Sequence, residues 1–338
     1  MARSRSARPC FRRWSSVAVA EANLSPSPSG GYYNYPVIRR PVWTWEIPVY
    51  FWLGGIAGGA YLTSSAAGLF GDDDDRRATG GGFYIAAGAL LPCAPLLIAD
   101  LGRPDRFHFM LRIFKPLSPM NLGAWTLAGF TPMAVARAMA QAGGEARLPM
   151  LLSLLSRLVP SRLLELSGSV FGLVLAGYTG VLLGATNVPL WAKSKLLPGL
   201  FTASAVSAGA AAVSWSAERS ASDRTLAKLA TVETAGTLGE LGLAFGYIRQ
   251  SGRAARPLMA RPYALPFWGG AVGLGGIVPL VLRLAARGGS NRTKRRLGTV
   301  AAACTIIGSL ARRWSIFEAG KKSSEDQQAS MEMATPKE

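Results

Sequence analysis

The chain has 338 residues, of which 49% are hydrophobic and only 17% charged, and its mean hydropathy is +0.23. Soluble domains carry roughly 25% charged residues, so this deficit, with the long apolar runs, points to an all-α integral membrane protein. The net charge is +18, from 37 Lys and Arg against 19 Asp and Glu. The bases sit in short clusters between apolar spans, as in loops beside anionic membrane lipid. That distribution argues against a nucleic-acid partner, which would need a continuous basic face.

Three cysteines, Cys10, Cys93 and Cys304, are far apart with no C-x-x-C pair. They exclude a cysteine-ligated iron–sulfur cluster or structural zinc within the chain and support no disulfide framework. A single histidine, His108, cannot build a bis-histidine haem. The expectation is no haem and no metal in this chain: any redox group is held without metal ligation or belongs to a partner.

In chain order, residues 1–41 form a polar, basic tail with five arginines before Trp14 and a Ser/Pro/Gly-rich stretch at 24–31. Its apolar piece Val17–Ala20 is shorter than the roughly seven residues a signal-peptide core needs. A disordered leader, or a start codon assigned too early, is expected there. The stretch Val42–Tyr61, VWTWEIPVYFWLGGIAGGAY, follows. Trp43 and Trp45 suit the membrane–water interface, and Pro48 suits a first helical turn. The glycine pairs Gly54-Gly55 and Gly58-Gly59 recur at four residues, which lets a neighbouring helix approach closely. Glu46 stands in the polar mouth of this helix.

Eight spans of about the twenty residues a bilayer requires are expected, at about 47–70, 81–99, 120–140, 165–186, 197–217, 226–248, 264–286 and 297–315. They form a membrane domain over 42–316, and a charged tail, 317–338, closes the chain. The acidic run 72–75 after the first span reads as an extramembrane loop, and Pro92 and Pro95 predict a kinked second span. The connection 142–164 has room for a short surface helix. Recurring glycines, among them Gly168, Gly172, Gly180, Gly184, Gly242, Gly246, Gly269 and Gly273, mark helix seams. Lys and Arg favour the odd-numbered loops, which places those loops in the cytoplasm and both termini outside.

In the sixth span Glu233, Thr237 and Glu240 fall at i, i+4 and i+7 and so share a face. Acids at membrane depth usually face a cavity, a partner or a proton route; a helix–helix hydrogen bond or an arginine pair is the structural alternative. Leaving the second span, Asp100 and Arg103 can pair at the surface, with His108 in the same loop. Tyr178 and Asn187 are polar groups near membrane depth, and a buried tyrosine hydroxyl needs a partner.

Four stretches, WTWEIPVYFWLGGIAGGAY, LIADLGRPDRF, FKPLSPMNLGAW and GYTGVLLGATNVPLW, resemble the polysulfide-reductase integral membrane subunit family, the NrfD-like proteins, in order over about 41–316. The resemblance implies an eight-helix, haem-free subunit of a respiratory oxidoreductase in a bacterial inner membrane. It would exchange electrons and protons between menaquinone or ubiquinone and an extrinsic iron–sulfur subunit, usually with a molybdopterin-type catalytic subunit beyond, and in some cases with proton translocation. Carried over residue by residue, the quinone site falls on Glu46, Tyr50, Asp100, Arg103 and Tyr178, and the proton route on Glu233, Thr237 and Glu240. Some relatives place Asn and His at the mouth of the first helix, where this protein has Glu46 and Tyr50, and often Ser where it has Asn121 and Ala124. A secondary transporter, which would show an inverted repeat, and a passive anchor without quinone chemistry are the alternatives.

Overall fold

The computed structural model describes residues 38–145 and 160–334. The basic tail up to residue 37 and the expected surface helix of the 142–164 connection, at 146–159, lie outside the described residues. Every regular element among the described residues is helical. The long rods match the apolar runs closely: α1 is Glu46–Phe70, α5 is Pro119–Gly144, α6 is Ser161–Gly184, α7 is Leu197–Ala217 and α8 is Asp223–Ser251. The second span is two pieces, α3 (Gly81–Leu90) and α4 (Cys93–Ala99), parted at Pro92, whose ring cannot continue the hydrogen-bond ladder.

The acidic run is helical rather than a loop. It starts α2, Asp73–Thr79, and three aspartates in its first turn complement the positive end of the helix dipole. Asp75 is buried because it is satisfied: Lys228 lies 2.5 Å away and the Thr225 hydroxyl donates at 2.7 Å. Arg224 pairs with Asp72 at 3.4 Å, so α2 is stapled to the head of α8.

The seventh span also departs from a plain helix. Its first part, α9 (Leu265–Ile277), is wound as a π-helix before α10 (Val278–Ala286) resumes α geometry. The widened turns free backbone carbonyls, and Ala271 O accepts from Arg312 at 2.8 Å. The last long rod, α11, runs Asn291–Ser323, well beyond the apolar part of its sequence, and is followed by α12, Gln327–Ala334. Ser323 Oγ accepts from the Leu190 N–H, and Lys193 and Arg253 both reach Glu332, so residues past 316 are packed into the molecule.

Four stretches, Asp73–Ala99, Ser161–Gly184, Leu197–Ala217 and Leu265–Ala286, are long and apolar enough to cross a bilayer. The other four long helices, with 25, 26, 29 and 33 residues, have the length. They fall short of the expected eight on composition, and α8 and α11 do so partly through charges that neutralise one another inside the bundle. At the centre is α7, packed on α1, α6, α8 and α11. Its Ala, Ser and Gly face permits this: a Cβ on Gly59 of α1 would strike Ala205 O, and one on Gly209 would strike the Gly59 backbone. The outside carries large apolar side chains, including Leu166, Val170, Phe245 and Trp268, which suits hydrocarbon rather than water.

Candidate functional site

The mouth of α1 and the end of α4 are joined through one residue. Thr44 donates to Asp100 Oδ1 twice, from its backbone N–H at 3.0 Å and its hydroxyl at 2.9 Å. The same hydroxyl makes a short contact with Glu46 Oε2. Two of the expected site residues, far apart in sequence, therefore meet at the surface. Arg103, by contrast, is exposed at the start of the turn Pro104–Leu111, and His108 is exposed with its ring against Phe109. Asn121 pins this loop, accepting from Lys115 N–H and donating to Met110 O and Ile113 O.

One turn below Glu46, Tyr50 is 1% exposed, and its hydroxyl has no hydrogen-bond partner among the described residues. Tyr178 and Cys93 are its polar neighbours. Tyr178 is buried, with its ring lying against Gly123, where any Cβ would collide with it. Leaving a buried donor unmade costs on the order of 1–3 kcal/mol, and Tyr50 bears that cost directly beneath the polar mouth. Asn187 is exposed and outside this group.

The three residues of the sixth span line one face as their spacing requires, and all are buried. Arginines from the two following rods engage both acids. Arg283 of α10 pairs with Glu233, which also accepts from the Thr305 hydroxyl at 2.9 Å. Arg312 of α11 lies 2.5 Å from Glu240, which accepts from the Ser207 hydroxyl at 2.8 Å. The Thr237 hydroxyl donates to the backbone carbonyl of Glu233 at 2.8 Å. Next along, fully buried Arg313 donates to Ser204 Oγ and Ser309 O at 3.1 Å each and lies over Phe201. It fills the notch left by Gly55 of α1. A polar column thus runs from Glu233 to α1. Its Glu233 end borders a cavity of about 670 Å³, walled by α8, α10 and α11.

The family profile described as Polysulphide reductase, NrfD, matches residues 35–323. The chain belongs to the NrfD polysulphide reductase family. This is a family of membrane proteins, and the NrfD match encloses every residue of the mouth and of the polar column. The chain is 30% identical over 183 residues to the C subunit of the polysulfide reductase of Wolinella succinogenes, an alignment covering 50% of the present sequence and 56% of that relative. It thus spans about half the length of the curated relative it matches.

Several residues that shape the mouth and the polar column escape sequence reasoning. Thr44 is a plain interfacial residue in sequence, and Cys93 is read only for the metal chemistry it cannot perform. Arg283, Arg312 and Arg313 are counted as ordinary bases. The signal available for all three was their place inside an apolar span, where charged side chains are costly. Trp191, fully buried, packs against Trp43 at 6.0 Å and Phe317 at 5.7 Å, rings that also meet each other at 6.5 Å, and so fixes the entry of α1 against α11.

Proposed function

We propose that this protein is the haem-free, quinone-reactive membrane subunit of a multi-subunit respiratory oxidoreductase, crossing a bacterial inner membrane eight times. Its electron partner is an extrinsic iron–sulfur subunit, with a molybdopterin-type catalytic subunit beyond. The observation that carries this reading is the orphan Tyr50 hydroxyl, buried below the point where Glu46 and Asp100 converge on Thr44. A bound menaquinone or ubiquinone supplies two-electron, two-proton redox chemistry. The residues present suit such a molecule: an unpaired donor for a ring carbonyl, aromatic and aliphatic walls from Tyr178 and Leu175, and acids at the surface.

In this mechanism Tyr50 orients the ring and holds a proton at its hydroxyl oxygen. Glu46, half-buried at the mouth, exchanges protons with water. Asp100 acts by fixing Thr44 and hence the mouth. Arg103, exposed in the adjoining loop, favours an anionic or docking partner on that surface. Family membership and the similarity to a polysulfide reductase subunit support the assignment to a redox complex.

Tyr50→Phe removes one oxygen from a site that already tolerates its lack of a partner, so the complex should assemble. Quinone-dependent turnover should fall about 100-fold, the lower range for losing a positioned proton donor. Unchanged turnover and unchanged binding of quinone analogues in both Tyr50→Phe and Glu46→Gln would leave a passive anchor as the better description.

The column Glu233–Thr237–Glu240 serves in this proposal as a proton route toward the opposite face, entered through the cavity beside Glu233. Thr237→Val and Ser207→Ala alter hydroxyls without stripping a buried arginine of its counter-ion. Each should lower proton uptake per electron in proteoliposomes while quinone binding persists. Uptake equal to that of the native complex in both variants removes the route.

A further inference from the structure

A second, smaller cavity of about 270 Å³ lies at the far end of α1, lined by Arg76, Arg77, Arg137, Arg162 and Glu165 among others. Glu46 and Gly68 stand about 33 Å apart along the helix by its rise, so this cavity opens on the face opposite the Tyr50 mouth. Four arginines line it against one carboxylate. That carboxylate is spent: Glu165 takes Arg137 at 2.8 Å, and Arg137 is further held by Gln141 Oε1 at 3.2 Å and by the Phe83 ring. Arg137 and Glu165 are nearly buried and form a fixed, neutral floor. Arg76 is anchored on Gly68 O at 2.9 Å, and its link to Asp73 is a surface pair with Asp73 82% exposed. Arg77 and Arg162 are exposed on the rim and have no hydrogen bond or ion pair through their side chains among the described residues. Three arginines thus line one cavity with positive charge to spare, and the guanidinium fork suits phosphate oxygens.

What leads away from the rim decides the source of the phosphate. Directly after Arg162, α6 presents Leu163, Leu166, Val170 and Leu173, between 51% and 63% exposed. Their spacing of three, four and three residues makes one stripe down the helix. Phe70, at the end of α1, is 88% exposed. A soluble phosphate has no use for this apolar track, whereas acyl chains do. We propose that the cavity binds the phosphate headgroup of one anionic phospholipid, of the phosphatidylglycerol class, through Arg76, Arg77 and Arg162, with its acyl chains along the Leu163–Leu173 stripe. The cavity accommodates the phosphate and its glycerol, and lipid-facing α6 accommodates the rest. This site is separate from the quinone proposal and stands if that proposal fails.

The test uses the whole complex, purified in mild detergent and placed in nanodiscs containing phosphatidylglycerol and phosphatidylcholine, with retained lipid counted by native mass spectrometry. The native complex should retain one phosphatidylglycerol in preference to phosphatidylcholine. Arg162→Gln should weaken that retention about fivefold, and Arg77→Gln/Arg162→Gln about 25-fold, since each base near anionic lipid contributes about a factor of five. Thermal melting of the variants should match the native complex, because neither arginine holds another side chain. Inorganic phosphate at millimolar concentration should not displace the lipid. Equal retention of both lipids, retention unaffected in the double variant, or displacement by inorganic phosphate alone would each overturn the proposal, the last in favour of a soluble anion.

Discussion

Glu240 and Arg312 show how a single residue can mean one thing in a sequence and another in a fold. An isolated acid in an apolar span suggests a proton carrier; here it is the counter-ion of fully buried Arg312. Removing one partner of a buried pair strands the other, at a cost of about 3–5 kcal/mol. Glu240→Gln should therefore lower the melting temperature of the purified complex sharply. The double change Glu240→Leu/Arg312→Met, which removes both charges, should recover part of the loss. If Glu240→Gln melts like the native protein, the pair is not holding α8 to α11. The sequence places Glu233, Thr237 and Glu240 on one face, and the fold agrees. Their partners were not legible, because nothing in local pattern says which distant cation a buried acid will meet. At the extramembrane end, the hydrogen bond from Lys193, aided by Arg253, holds Glu332 below the usual carboxylate range. A lowered folded-state value means the contact stabilises above the ordinary glutamate pKa of about 4.3 and fades as pH falls through the folded-state value. Amide protection factors over 327–334 should fall on acidification in that window, and Glu332→Gln should show low protection already at neutral pH and no further loss.

At the scale of elements, glycine periodicity was informative only where a neighbouring backbone or ring arrives. Gly168, Gly172 and Gly180 do meet Tyr61, Gly58 and Pro198, but Gly242 has nothing within 4 Å. In the seventh span the seam is not at Gly269 and Gly273 but at Gly270 and Gly275, the latter against Gly308 of α11. The π winding shifts the register of that helix, and an assumption of 3.6 residues per turn cannot foresee it. The resulting prediction is a contrast between positions. Gly59→Ala or Gly209→Ala drives a methyl into backbone at the α1–α7 crossing, at a cost of about 1–3 kcal/mol or more. Gly242→Ala should be neutral or slightly stabilising, since alanine is the better helix former. Thermal unfolding of the three variants in one detergent checks the ranking.

For the whole molecule, the span positions were readable because hydrocarbon thickness imposes a length on every crossing helix. The count was less so: half of the long helices do not declare themselves by apolar composition, α8 and α11 in part because their charged groups are paired inside the bundle. The mouth was half legible, with Glu46, Tyr50, Asp100 and Tyr178 anticipated and Thr44 and Cys93 not. The proposed assembly makes a plain forecast: purification should bring down an iron–sulfur subunit and extractable quinone in the same peak. A preparation with neither would remove the oxidoreductase reading.

The buried arginine doublet also bears on how such a protein is made. A helix carrying Arg312 and Arg313 into lipid by itself faces a penalty of about 2.5–3.5 kcal/mol for each. Glu240 and Ser204, the groups that receive them, both leave the ribosome earlier. The last long helix is thus expected to enter the bilayer against a cradle already assembled. Without the Glu240 carboxylate, newly synthesised protein should stall with its final segment uninserted, visible as C-terminal fragments cleared by membrane proteases.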